Sequence, residues 1–195
     1  MDDFIVEDLN IGGSIDQLRE LASHVLQTTE GKVLPSKLDK NVLMMTIKEP
    51  LGVQLAIAPW NASLLLAIRA VATPIACGNT VILKASEISP LAHHFLGGLF
   101  RDAGLPAGVL NIVQHSRDDA EVVVDALISD NRIRKVNFTG STAVGRIIAA
   151  KAAQYGKPAL LELGGKCPLI VLKDADLDNA AQAAAFGAFE HVSSF

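Results

Sequence analysis

The sequence predicts an open α/β fold, a mostly parallel sheet with helices on both faces. Three observations carry that prediction. Short apolar runs bounded by Gly, Pro, Asn or Ser fit parallel strands covered on both sides. Segments of helical periodicity alternate with those runs, as right-handed βαβ units require. Several runs also pass into the next helix through corners rich in Gly, Ser or Thr, and in open sheets ligands sit at such carboxyl-end corners.

The elements follow in order. Within residues 1–30, Leu18, Leu21, Ala22 and Val25 share one helical face. Gly31 and Pro35 mark turns, and Val42–Ile47 is a short apolar run. From Val53 the alternation becomes regular. Strands are expected at Val53–Ile57, Val81–Leu83, Val109–Val113, Lys135–Phe138, Ala159–Leu161 and Leu169–Leu172. Helices are expected at Ala62–Ala76, Pro90–Ala103, Asp118–Ser129 and Thr142–Gln154. There is no internal repeat and no low-complexity segment.

With 195 residues, half of them apolar, the chain can bury a real core. A net charge of −4 argues against a nucleic-acid module, which would carry a basic stripe. Two cysteines cannot make a disulfide framework, and no Cys/His group has zinc spacing, so no metal is expected. The opening Met1-Asp2-Asp3-Phe4 is acidic where a signal peptide is basic, and a reducing, cytoplasmic setting is expected. The uncharged stretch between Glu49 and Arg69 is long enough for a membrane helix, but Pro50, Gly52, Pro59 and Asn61 break it into strand, turn and helix. No membrane partner is expected.

Four corners carry candidate chemistry. At Ile57-Ala58-Pro59-Trp60-Asn61, Trp60 offers a flat apolar wall, and Asn61 either caps the next helix or turns its amide to a ligand. At Lys84-Ala85-Ser86-Glu87, a lysine and a carboxylate suit a ribose, the acid disfavouring a 2′-phosphate; the alternative is a solvated loop with Ser86 or Ser89 as a cap. At Phe138-Thr139-Gly140-Ser141-Thr142-Ala143-Val144-Gly145, a Ser/Thr-rich turn enters a helix whose free amides favour phosphate, although a plain cap fits equally well. At Glu162-Leu163-Gly164-Gly165-Lys166, an acid in an apolar run is either a desolvated general base or an ion-pair partner of Lys166. Other features fail. Asp174-Ala175-Asp176-Leu177-Asp178 opens like a calcium loop but has Asn179 and Ala185 where Gly and Glu are needed, so these acids start a helix instead. His93 and His94 are adjacent and have no metal-spaced partners.

Taken together and in this order, Pro59-Trp60-Asn61, Lys84-Ala85-Ser86-Glu87, Phe138-Thr139-Gly140-Ser141 and Glu162-Leu163-Gly164-Gly165-Lys166 resemble the aldehyde dehydrogenase superfamily over about Pro50 to Phe189. Ala72-Thr73-Pro74-Ile75-Ala76-Cys77-Gly78-Asn79-Thr80 looks most like the salicylaldehyde and vanillin type. The resemblance implies a partial, Rossmann-like aldehyde dehydrogenase fold: a remnant at 1–49, an NAD-binding domain at 50–189 and a divergent tail at 190–195. It implies NAD, with NADP as the alternative, and an aldehyde, of aromatic type, as the small-molecule substrate. Ile57, Ala58 and Trp60 would line the cofactor cleft, Lys84 and Glu87 would hold the adenine ribose, and Gly108 would lie near the adenine. Ser141 would bind pyrophosphate, with Gly140, Val144 and Gly145 shaping that helix end. Asn61 would donate to the oxyanion, Glu162 would be the general base, and Leu163 would meet the nicotinamide.

The family's nucleophilic cysteine is expected after Ala185-Phe186-Gly187-Ala188-Phe189, where Glu190-His191-Val192-Ser193-Ser194-Phe195 abandons the pattern. Cys77 and Cys167 match positions of structural residues. The chain by itself is therefore expected to be inactive, and the bridging hairpin used in family assembly is expected to be missing. A non-catalytic NAD-binding protein, a decoy subunit for a full-length relative and a fragment without function stay open beside the enzyme reading. A mean hydropathy of +0.33 fits a piece of a larger core.

Overall fold

The computed structural model describes residues 10–39 and 41–189. The tail expected at 190–195 therefore lies outside the described residues, as does the start of the 1–49 segment. The described chain forms α1 (Gly13–Thr29), β1 (Lys32–Pro35), β2 (Leu43–Thr46), β3 (Val53–Ile57), α2 (Ser63–Ala76), β4 (Thr80–Lys84) and α3 (Pro90–Asp102). It continues with β5 (Leu110–Val113), α4 (Ala120–Ser129), β6 (Ile133–Gly140), α5 (Thr142–Gln154), β7 (Ala159–Leu163) and α6 (Leu177–Phe189).

Five strands form a parallel sheet in the order β5-β4-β3-β6-β7. The chain builds outward from β3 through β4 to β5, then returns to the other side of β3 with β6 and β7. That reversal leaves a topological switch point between the carboxyl ends of β3 and β6. The alternation of side chains along the strands splits the core in two. Ala56, Val81 and Leu83 face α2 and α3, with Leu21 of α1 packed alongside. Leu55, Ile57, Val136 and Phe138 face Ile128 of α4 and Ile148 and Ala152 of α5. Gly78, at φ 79°, closes α2 in a backbone conformation that L side chains avoid, and a Cβ there would press on Pro50 at 2.9 Å.

The expected α/β architecture is the one observed, with three local differences. Leu169–Leu172 is not a strand: these residues join no ladder of the described chain, leaving the outer edge of β7 unpaired there, and their four side chains are exposed. Pro35 does not sit in a turn but ends β1, a place where a missing N–H is tolerated. A hairpin that the expected elements did not include is also present: β1 and β2 pair antiparallel as an exposed ribbon. The first helix forms, yet of its expected face only Leu21 and Val25 are partly buried, while Leu18 and Ala22 stay exposed. Among the described residues no helix is long and apolar enough to cross a membrane.

Candidate cofactor cleft

A cleft of about 450 Å³ opens at the switch point. The end of β3 and its turn supply Ile57, Ala58, Pro59 and Trp60. The end of β4 supplies Lys84, Ser86, Glu87 and Ile88, and the end of β6 supplies Phe138, Thr139, Gly140, Ser141 and Val144. Strand register causes this convergence, because Ile57 lies opposite both Lys84 and Phe138. Eight of the residues singled out in the sequence, Ile57, Ala58, Trp60, Lys84, Glu87, Gly140, Ser141 and Val144, thus share one wall-to-wall space.

Each corner has its own local cause. The Lys84 side chain is only 10% exposed and its Nζ lies 3.9 Å from the Glu87 carboxylate. Burial holds its pKa below the usual lysine value, with the Glu87 charge working the other way. Ser141 is the N-cap of α5, its Oγ accepting from the Val144 amide at 3.3 Å. Capping uses the oxygen as acceptor and leaves its O–H free to donate, so the cap and the phosphate readings are compatible. Neither Ser86 nor Ser89 caps α3 by a side-chain bond to its first turn; Ser86 Oγ accepts from the Ile88 amide in the preceding loop. Asn61 makes no capping bond to α2, and its Oδ1 is enclosed without a hydrogen-bond partner.

A second, more apolar recess of about 310 Å³ continues from the cleft, sharing Ile57, Lys84, Phe138 and Val144 and running between α4 and α5 past Val124, Ile128 and Ile147. Sequence reading missed this slot. The only available signal was the apolar face of Asp118–Ser129, which reads equally as core.

Three predicted residues, Gly108, Leu163 and Glu162, are placed differently. Gly108 precedes β5, at the amino edge of the sheet, so it lies across the sheet from the carboxyl-end cleft and cannot be an adenine contact within it. The side chain of Leu163 packs into the core against α5 rather than lining the cleft; a Cβ on Gly145 would meet its Cδ2 at 2.3 Å. Gly145 is accordingly buried in that helix–strand contact. Glu162 is on β7 itself, half exposed and paired not with Lys166 but with Arg69 of α2 at 3.8 Å. The desolvation expected for Glu162 is therefore not what the fold provides. Arg69 also donates to Thr139 Oγ1 at 3.3 Å, linking the acid to the rim of the cleft. Glu162, Arg69 and the partly buried Cys77 line a separate depression of about 640 Å³ on the α2 side of the sheet. Cys167 is exposed in the segment after β7.

A dinucleotide fits these residues: a helix N-terminus with a donor-bearing cap for phosphate, a lysine–carboxylate pair for a ribose, and an apolar slot next to them for a planar ring. Comparison with known proteins gives the same direction. The model for the aldehyde dehydrogenase family matches residues 6–192. A vanillin dehydrogenase of Pseudomonas fluorescens is 52% identical over 92% of this chain and 37% of its own length. The crystal structure of a salicylaldehyde dehydrogenase from Pseudomonas putida G7, complexed with salicylaldehyde, superposes with a TM-score of 0.88 at 50% identity, covering 93% of this chain and 37% of that one. A Mycobacterium tuberculosis aldehyde dehydrogenase complexed with NAD+ superposes with a TM-score of 0.81 at 34% identity, over 89% of this chain and 35% of that one. The chain thus spans little more than a third of the length of these relatives. On the extent of the family match and the geometry of the sheet together, the chain belongs to the aldehyde dehydrogenase family.

Proposed function

We propose that residues 50–189 form the dinucleotide site of an enzyme that oxidises an aldehyde, aromatic in type, to a carboxylic acid, with NAD preferred and NADP as the alternative. The observation that carries this reading is the convergence of three strand-end corners on the one cleft at the switch point. Lys84 donates to a ribose hydroxyl and Glu87 accepts from one; the same carboxylate repels a 2′-phosphate, which is the reason for preferring NAD. The Ser141 hydroxyl and the first amides of α5 donate to the pyrophosphate. The slot between α4 and α5, rather than Gly108, takes the adenine. Asn61, which makes no capping bond to α2, donates its amide N–H to a developing oxyanion. Glu162, oriented by Arg69, accepts a proton at its carboxylate. Bound in the cleft, the nicotinamide supplies the hydride acceptor.

Cys77 and Cys167 are not assigned as nucleophiles, because Cys77 ends α2 at the depression's wall and Cys167 is an exposed loop residue outside the cleft. On this reading the chain alone binds the cofactor without turnover. A non-catalytic NAD-binding role is favoured by one observation: the cleft is built from this chain's own described residues. Calorimetric titration of the chain with NAD tests both, with Glu87→Ala and Ser141→Ala in parallel and vanillin and salicylaldehyde oxidation assayed beside it. Binding that weakens in both variants, without turnover, is expected. A folded wild type that takes up no heat with NAD would sink the cofactor reading, and turnover by the chain would sink its inactivity.

A further inference from the structure

His93 carries no role in the sequence reading beyond having no metal partner. In the fold it is fully buried on α3, and both ring nitrogens are used. Nδ1 accepts from the backbone amide of Ser86 at 3.1 Å, and Nε2 lies 3.1 Å from the Ser63 carbonyl. An acceptor at Nδ1 requires the proton to be on Nε2, where it is donated to Ser63; one neutral tautomer satisfies both partners, and the imidazolium would set N–H against N–H. Ser86 sits between Lys84 and Glu87 in the ribose corner, and Ser63 is two residues past Asn61 in the Trp60 corner. A single side chain therefore ties the loops leaving two adjacent strands.

We propose that His93 is a positioning residue: through Ser86 and Ser63 it fixes the Lys84–Glu87 loop relative to the Trp60–Asn61 loop, and so sets the width of the cleft on that side. The ligand rests on the nucleotide reading above, but the tie itself does not. Burial keeps the ring neutral, and Lys84 nearby adds to this, although the Ser63 bond opposes it.

The test separates hydrogen bonding from space filling. In His93→Asn the amide oxygen stands near Nδ1 and can still accept from Ser86, whereas His93→Leu fills the space and accepts nothing. NAD affinity is expected to fall about tenfold in His93→Leu, the scale of one lost hydrogen bond, and clearly less in His93→Asn, even where Leu gives the higher thermal stability. Trp60, the only tryptophan, reports the other loop without ligand. Its fluorescence should become more accessible to acrylamide in His93→Leu, and the Ser86 amide should exchange faster by about tenfold. The proposal is overturned if Leu and Asn variants rank by stability alone, or if neither Trp60 quenching nor Ser86 exchange moves. Should the wild type bind no NAD, only the cofactor reading fails, since those two measurements still decide the tie.

Discussion

Lys84 brings an ammonium group into a site that shields nine-tenths of its side chain, and the Glu87 carboxylate is 3.9 Å away and itself partly solvated. Such a charge is costly to bury, and on the proposed function its place is explained by the ribose it binds. Its lowered pKa means that the unfolded chain holds this proton more tightly than the folded one. The penalty is therefore complete at pH values below the folded pKa, and it fades as the pH rises through that value toward the ordinary lysine value of 10.5. Lys84→Met is expected to leave urea stability at neutral pH unchanged or raise it by up to about 2 kcal/mol. The gap to wild type should close above pH 10 while NAD affinity is lost. A variant that is much less stable at neutral pH would show that Lys84 serves the fold instead. The Arg69–Glu162 pair differs: both side chains are well exposed, so it orients a carboxylate and contributes little to stability.

Among the elements, α5 and β7 meet through Gly145, where a helix comes so close to a strand that Leu163 occupies the space of a side chain. Alanine has the better helix propensity by about 1 kcal/mol, yet here its Cβ would overlap the whole isobutyl group. Gly145→Ala is expected to destabilise by about 1–3 kcal/mol, the range for overpacking. Adding Leu163→Ala should recover part of that loss, and a double-mutant cycle by chemical denaturation reads the coupling. Purely additive costs would mean that the two residues do not meet. At the far end, Asp176 accepts from the amides of Asp178 and Asn179 and starts α6, the role that remained when the calcium reading failed. None of the residues of that helix is buried.

For the molecule as a whole, the cleft needs residues from β3, β4 and β6 at once, so occupying it links the two halves of the sheet on either side of the switch point. A ligand that binds only the folded chain stabilises it by mass action, by about 2.7 kcal/mol at a hundredfold excess over Kd. NAD is therefore expected to raise the Tm of the chain in a concentration-dependent way, and AMP to do so less, because AMP leaves the Trp60 side of the cleft empty. A Tm indifferent to NAD at concentrations that saturate the calorimetric signal would place that heat outside the folded cleft.

The alternation of strands and helices was legible because both periodicities are local. Val53–Ile57 and Thr142–Gln154 are found at the expected bounds, and β4, β5, β6, β7, α2, α3 and α4 lie within two residues of theirs at each end. The corner residues Lys84 and Ser141 could likewise be singled out from their residue types at strand ends, whereas Ile57 was implied by the family resemblance. Tertiary structure decided what meets what. Strand direction put Gly108 at the wrong edge, Leu169–Leu172 joins no ladder among the described residues, and the approach of α2 gave Glu162 the partner Arg69 instead of Lys166. His93 and the slot between α4 and α5 carry no motif, since their roles come from contacts across neighbouring elements. By itself the sequence determined the elements, their order and the chemistry available at each corner, all properties of near neighbours along the chain. Only the packed sheet decided which corners share a cleft, because register and crossover direction are set by contacts between residues far apart in sequence.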